Sequence, residues 1–154
     1  MGKGASLKVY LAGKMSGLSW EEMQQWRREF SQHVNEHTHN CDMQNKVRIF
    51  NPCDYYNPLL SEDDVDGVID REAMRFDIYH LKDSDIVVAN LDGDSIGTAM
   101  EVAIAKDNGI PVIGICHDEA ELHPWLRESC MVLFDSLYDA ETYVCDFLIF
   151  PMMA

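Results

Sequence analysis

Five short apolar runs punctuate the chain, and longer stretches with apolar residues every three or four positions separate them. The runs are residues 7–12 (LKVYLA), 47–50 (VRIF), 86–89 (IVVA), 111–115 (PVIGI) and 131–134 (MVLF). Continuous apolar runs of this length, rich in Val and Ile, predict parallel strands covered on both faces. Between the first two, Ser19 with Glu22 three residues on forms a capping box. It opens a helix to about residue 37, with Trp20, Met23, Trp26, Phe30 and Val34 as its apolar stripe. A second helix is expected over 68–81, with Ile69, Ala73, Phe76 and His80 or Leu81 along one side. A third carries Ala99, Val102, Ala103 and Lys106 at helical spacing until Asn108-Gly109 stops it, and a closing helix spans 137–150.

The segments between are turn-like. Residues 39–45 are polar, the two prolines and two asparagines of 51–58 (NPCDYYNP) exclude regular structure, and 61–66 is an acidic, solvated loop. Alternating strands and helices without repeats or linkers predict one domain over 1–154. The expected architecture is α/β, an open, doubly wound five-stranded parallel sheet with helices on both faces. Ligands of such sheets bind at the carboxyl ends of the strands. The site floor should therefore come from residues 13–17, 51–56, 90–97 and 117 onward.

Charge narrows the partners. A formal net charge of −15 over 154 residues argues against a nucleic-acid polymer or an anionic membrane, and leaves a small anion held by backbone amides open. No apolar run approaches a membrane span, and MGKGAS at the start lacks a signal peptide's apolar region, although it fits the short myristoylation pattern. Five cysteines (Cys41, Cys53, Cys116, Cys130, Cys145) without a C-x-x-C pair read as reduced thiols of a cytoplasmic protein. The P-loop and G-x-G-x-x-G patterns are both missing, which removes nucleoside triphosphatases and dinucleotide enzymes. His33, His37, His39 and Cys41 have no second ligand pair at metal-finger spacing and read as a polar helix end. No metal and no cofactor are expected.

The stretch 83–109 carries the candidate chemistry. A buried strand leads through a turn with Asp92, Gly93, Asp94, Ser95 and Gly97 into a helix whose second turn sets Glu101 among Ala99, Met100, Val102, Ala103 and Ile104. The topology brings Glu101, Asp77, Tyr10, Asp92 and Asp94 near one cleft. Two carboxylates across a cleft, one ionised and one able to donate a proton, are the minimum for cleaving a glycosidic bond, about 5 Å apart in the retaining version. A tyrosine hydroxyl beside the nucleophile would hold its rotamer and share its charge. Tyrosines in NPCDYYNP are either loop packing or a wall for a flat base.

Taken together, VYLAGKMSG, the NP after the second strand, FDIYHLKDSDIVVANLDG and GTAMEVAIAKDNGIPV resemble the nucleoside 2-deoxyribosyltransferase family over roughly residues 7–135. The resemblance implies a flavodoxin-like fold and transfer of 2-deoxyribose between bases through a covalent enzyme intermediate. It makes Glu101 the nucleophile, Asp77 the acid that protonates the leaving base, and Tyr10 the residue that positions the nucleophile. It also implies a homo-oligomer built from dimers, with each site completed by the neighbouring subunit. Gly13, Asn51, Asp92, Gly93, Asp94 and Gly97 fall on the expected substrate-binding loops. The expected partners are a small deoxynucleoside or deoxynucleotide and a free base.

Departures from the pattern bear on substrate. Six residues before Glu101, where the transferases often have Asp, this chain has Ser95 in a shortened turn. A sister group, the 2'-deoxynucleoside 5'-monophosphate N-glycosidases, similarly uses a serine there for phosphate. Its S-x-M-[IV] segment resembles Ser129-Cys130-Met131-Val132. Lys14 and Ser16 in GKMSG could add a cation and a donor, whereas Asp92 and Asp94 would repel a dianion unless they point away. GKMSG also resembles the G-P-M-[ST]-G turn of small phage-associated deoxyribosyltransferase-like proteins. The sequence thus favours a transferase on deoxynucleosides, with the monophosphate hydrolase as alternative and a non-catalytic nucleotide-binding module as a third reading.

Overall fold

The structure is a computed structural model and describes residues 6–39, 46–55 and 67–153. Most of the 39–45 loop, Cys41, Tyr56 and the acidic run 61–66 lie outside the described residues. The five apolar runs become strands β1 (Leu7–Gly13), β2 (Val47–Phe50), β3 (Ile86–Asn90), β4 (Val112–Ile115) and β5 (Val132–Phe134). They form one sheet in the order β2-β1-β3-β4-β5, with every neighbouring pair parallel. The connecting helices are α1 (Trp20–His39), α2 (Val68–Lys82), α3 (Ile96–Asp107), α4 (Pro124–Ser129) and α5 (Leu137–Tyr143).

Side-chain alternation along β1 divides the core in two. Leu7, Val9 and Leu11 pack with Phe30 and Val34 of α1 and Ala140 of α5. Tyr10 and Ala12 face the other way, with Leu81 of α2 and Val102 and Ala105 of α3. α1 and α5 thus cover one face, and α2, α3 and α4 the other. The capping box at α1 forms as expected: the Glu22 amide donates to Ser19 Oγ (3.2 Å) and the Ser19 amide to Glu22 Oε1 (3.1 Å).

Three regions depart from the sequence reading. Within 51–58, expected to lack regular structure, Pro52–Asp54 winds into a short 3₁₀ turn, because proline suits its first position and Asn51 caps it. The expected helix over 137–150 is α-helical only to Tyr143; it widens into a π-helix over Val144–Ile149 and returns to one α turn at Phe150–Met153. α4 and a 3₁₀ turn at Glu119–Glu121 fill the β4–β5 connection. α4 has six residues, too short to display a period, and starts at Pro124 with the His123 ring accepting from the Trp125 amide (3.1 Å).

Gly13 of β1 stands opposite Asn90 of β3. From these adjacent strands the chain leaves in opposite directions, toward β2 and toward β4, so a crevice opens at their carboxyl ends.

Candidate active site

Tyr10 is fully buried on the α2–α3 face, and its hydroxyl donates a hydrogen bond to Glu101 Oε2. Two elements separated by 91 positions in sequence meet in this contact. The helical register that buries Val102 and Ala105 brings Glu101 inward at the sixth position of α3, half-buried. Burial pushes its carboxyl from 4.5 up to about 7. The Tyr10 hydrogen bond opposes that rise, the Asp77 charge adds to it, and the Arg27 charge opposes it. Burial, then the charges of Glu101 and Asp77, push the Tyr10 phenol far above its usual range, so it stays a donor. Asp77 on α2 is half-buried, and its charge acts on Tyr10, Glu101, Arg27 and Cys53. The predicted trio therefore meets in one place. The Asp77 charge is one of the influences that hold the Glu101 proton, and the Tyr10 hydroxyl is fixed against the same carboxyl.

Sequence reasoning missed Arg27. Its signal was in plain view: Met23, Arg27, Phe30 and Val34 share one helical stripe, and all four are buried. Arg27 is 0% exposed. One guanidinium nitrogen donates to the Met23 carbonyl (2.7 Å), another to the Gly13 carbonyl (3.1 Å), and the group lies 4.9 Å from the Trp26 ring. The approach requires glycine at 13, because a Cβ there would sit 2.8 Å from Trp26 and 3.3 Å from an Arg27 nitrogen.

Asn51 is buried and committed to the fold. Its Oδ1 accepts from the Cys53 amide (3.0 Å) and its Nδ2 donates to Gln24 Oε1 (2.8 Å), tying the end of β2 to α1. The β3–α3 turn is held by its own side chains. Asn90 Oδ1 accepts from the Asp92 amide (3.0 Å), and Gly93 takes φ 76, a conformation that favours glycine. Asp92 turns to His117, accepting from its amide (2.9 Å) and contacting its Nδ1 (2.5 Å), while Asp94 is exposed. Ser95 is the N-cap of α3, its Oγ accepting from the Thr98 amide (3.2 Å). Gly97, exposed in that first turn, has open space where a side chain would stand.

A cavity of about 420 Å³ opens beside this turn, lined by Lys14, Leu18, Glu22, Gln25, Trp26, Asn90, Asp92 and Gly93. The Lys14 side chain lies against Gly93. This cavity faces α1, and neither Glu101 nor Tyr10 lines it. The acid cluster and the cavity are two compartments at the ends of β1 and β3, and Arg27 stacks on Trp26, a wall of the second.

Aromatic rings back the cluster. Phe50 stacks between Tyr10 (5.3 Å) and Tyr55 (4.9 Å), and Phe76, next to Asp77, packs against Phe50 and Tyr55. Tyr55 is 61% exposed. Ser16 is exposed in the first turn. Ser129, at the end of α4, donates to the Trp125 carbonyl (2.7 Å), and Met131 is exposed just before β5. These last two sit toward the β5 edge of the sheet, with β3 and β4 between β5 and the strand that carries Tyr10. Among the described residues no group of three His, Cys, Asp or Glu could hold a metal ion, and no helix is long and apolar enough to cross a membrane. His33 contacts Glu141 (2.9 Å) and His37 contacts Asp146 (3.4 Å).

A family model described as nucleoside 2-deoxyribosyltransferase matches residues 9–146. The chain belongs to this family. Among solved structures, it resembles a 2-deoxyribosyltransferase from the psychrotolerant bacterium Bacillus psychrosaccharolyticus. That match has 21% identity and a TM-score of 0.65, and covers 91% of this chain and 93% of that one. It also resembles a CMP N-glycosidase from Clostridium botulinum (15%, TM-score 0.57, covering 92% and 99%). A third likeness is a 2-desoxiribosyltransferase from Leishmania mexicana (15%, TM-score 0.55, covering 93% and 99%). No curated protein sequence matches the chain. The five-stranded all-parallel sheet is the fold of the deoxyribosyltransferase structures, as the sequence resemblance implied.

Proposed function

We propose that the chain is a nucleoside 2-deoxyribosyltransferase that cleaves the N-glycosidic bond of 2'-deoxynucleosides through a covalent deoxyribosyl ester on Glu101. The carrying observation is the contact of the Tyr10 hydroxyl with Glu101, with Asp77 beside both. In the first half-reaction a Glu101 oxygen forms a bond to C1' as the C1'–N bond breaks. The electron pair of that bond goes to the base nitrogen, which takes a proton from Asp77. In the second, a nitrogen of another base, or water, attacks C1', gives its proton to Asp77 and frees Glu101. Tyr10 fixes the carboxylate rotamer, and the absent 2'-hydroxyl eases the oxocarbenium-like transition state. Tyr55 and Phe76 offer apolar surface for a flat base next to Asp77.

One observation favours the monophosphate N-glycosidase as the second reading. Ser95 caps α3, so a phosphate there would meet a hydroxyl and free amides at the positive end of a helix. Asp92, tied to His117, is turned away from that end. The reading includes a dimer-based homo-oligomer in which Ser129 and Met131 reach a neighbour's site. Exposed Met100, Trp125 and Met131 on the α3–α4 side support such a contact.

Chromatography of one deoxynucleoside, its 5'-monophosphate and a free acceptor base with the protein tests both readings. Base exchange on the nucleoside supports transfer. Release of base only from the monophosphate, lost in Ser95→Ala, supports the hydrolase. Tight binding with no base released from either substrate would overturn both in favour of a binding module.

A further inference from the structure

Phe50 is the hub of the aromatic group behind the acid cluster, and its neighbours leave its ring little freedom. It ends β2 in register with Tyr10 of β1, and both rings are buried on the α2–α3 face. Neighbouring strands lie about 4.8 Å apart, so the ladder itself holds two such rings in stacking range. They stack at 5.3 Å with 18° between their planes. Just beyond Phe50, Asn51 ties the chain to Gln24 of α1, which anchors the backbone at the end of the strand. From α2, the His80 ring lies on Phe50 at 4.3 Å and 16°. Lys8, a buried cation two residues before Tyr10 on β1, fixes that ring in turn. Its ammonium lies 2.6 Å from His80 Nδ1, 3.5 Å from Asp83 Oδ2 and 5.1 Å from the centre of the Phe50 ring. An ammonium only donates, so Nδ1 accepts and the neutral imidazole carries its proton on Nε2. Burial and then the Lys8 charge hold His80 below its usual pKa range, which keeps it in that form.

We propose that Phe50 is a positioning residue for the reaction: clamped by the His80 ring that Lys8 holds, it fixes the Tyr10 ring so that the hydroxyl meets Glu101. The inference rests on the proposed roles of Tyr10 and Glu101. A tyrosine hydroxyl is the far end of a side chain with two torsions, so a small tilt of the ring moves it off its acceptor. Misplacement by about 1 Å can cost about 100-fold in rate. Phe50 is only 4% exposed, and Tyr55, 61% exposed, stacks on it at 4.9 Å. A base would therefore meet Tyr55 rather than Phe50, and losing the Phe50 ring should fall on kcat rather than on KM.

Carbon-13 NMR titration of the Glu101 carboxyl, assigned with Glu101→Gln, reads the Tyr10 contact without turnover. In the wild type its midpoint is expected near 7. The Tyr10 hydrogen bond lowers that midpoint, so Tyr10→Phe should raise it by about one pH unit. Phe50→Leu keeps the position apolar but removes the ring, and should give at least half of that rise. In the Tyr10→Phe background it should add nothing, because its effect passes through the hydroxyl. Turnover should follow the same pattern: kcat about 10-fold lower in Phe50→Leu with KM little changed, and no further fall in the double variant. His80→Gln removes the second ring while leaving Lys8 an acceptor, and should raise the midpoint in the same direction. An unmoved midpoint in folded Phe50→Leu would overturn the proposal. So would effects of Phe50→Leu and Tyr10→Phe that simply add, which would mark general packing. If Phe50→Leu does not fold, an unmoved midpoint in His80→Gln overturns it instead. Absence of glycosidic turnover in the wild type would defeat the reaction while leaving the titration readable, so the two failures are separable.

Discussion

Replacing Glu101 with glutamine should stabilise the fold at alkaline pH. The unfolded chain ionises this carboxyl near 4.5, whereas the native protein holds its proton up to about 7. Between those values the native state binds more protons than the unfolded state, so the group's contribution to stability falls as pH rises. It is fully favourable below 4.5 and lost above about 7. At about 1.4 kcal/mol per pH unit, the interval corresponds to about 3 kcal/mol. Glutamine has nearly the same volume and its side-chain carbonyl can still accept from Tyr10, so most of that cost should disappear in Glu101→Gln. Urea unfolding at about pH 8 should show the variant more stable by roughly 2–3 kcal/mol with an unchanged m-value, and the gap should close near pH 4.5. A variant less stable than the wild type at about pH 8, or a gap that ignores pH, would refute the reasoning.

Other substitutions probe single contacts. Tyr10→Phe removes a hydrogen bond to a carboxylate, about 1.5–3 kcal/mol, so kcat/KM should fall roughly 10- to 100-fold and its acid limb should move to higher pH. Gly114→Ala would place a methyl 2.5 Å from a Leu133 methyl and 2.9 Å from Cys130 Sγ. Overpacking of this kind should cost about 1–3 kcal/mol in urea unfolding. Ser95→Ala removes the α3 cap and should lower stability by about 1 kcal/mol, whatever it does to substrate choice.

Strand positions were legible because each run is short, apolar and bounded by turns, and α1 because its stripe and capping box agree. The fold reading brought Tyr10 and Glu101 to one cleft, but their direct pairing was not readable from pattern, since Tyr10 looks like any residue of a buried strand. Family resemblance supplied that pair, and the parallel register of β1 and β3 delivers it. Arg27 was overlooked for a different reason. In WRREF it reads as one of two adjacent surface arginines, and only its place on the Met23–Phe30–Val34 stripe marks it as internal while Arg28 pairs with Glu21 in solvent. The π-helical stretch at the end of the chain left no mark, because an added residue per turn does not disturb an already apolar run.

The central claim is a covalent bond at Glu101. Mixing the protein with a 2'-deoxynucleoside, quenching in acid and mapping peptides by mass spectrometry tests it most directly. The account predicts one deoxyribosyl group on the peptide containing Glu101, absent in Glu101→Gln and discharged by a second base. Base release with no adduct, an adduct on another residue, or full turnover by Glu101→Gln would contradict it.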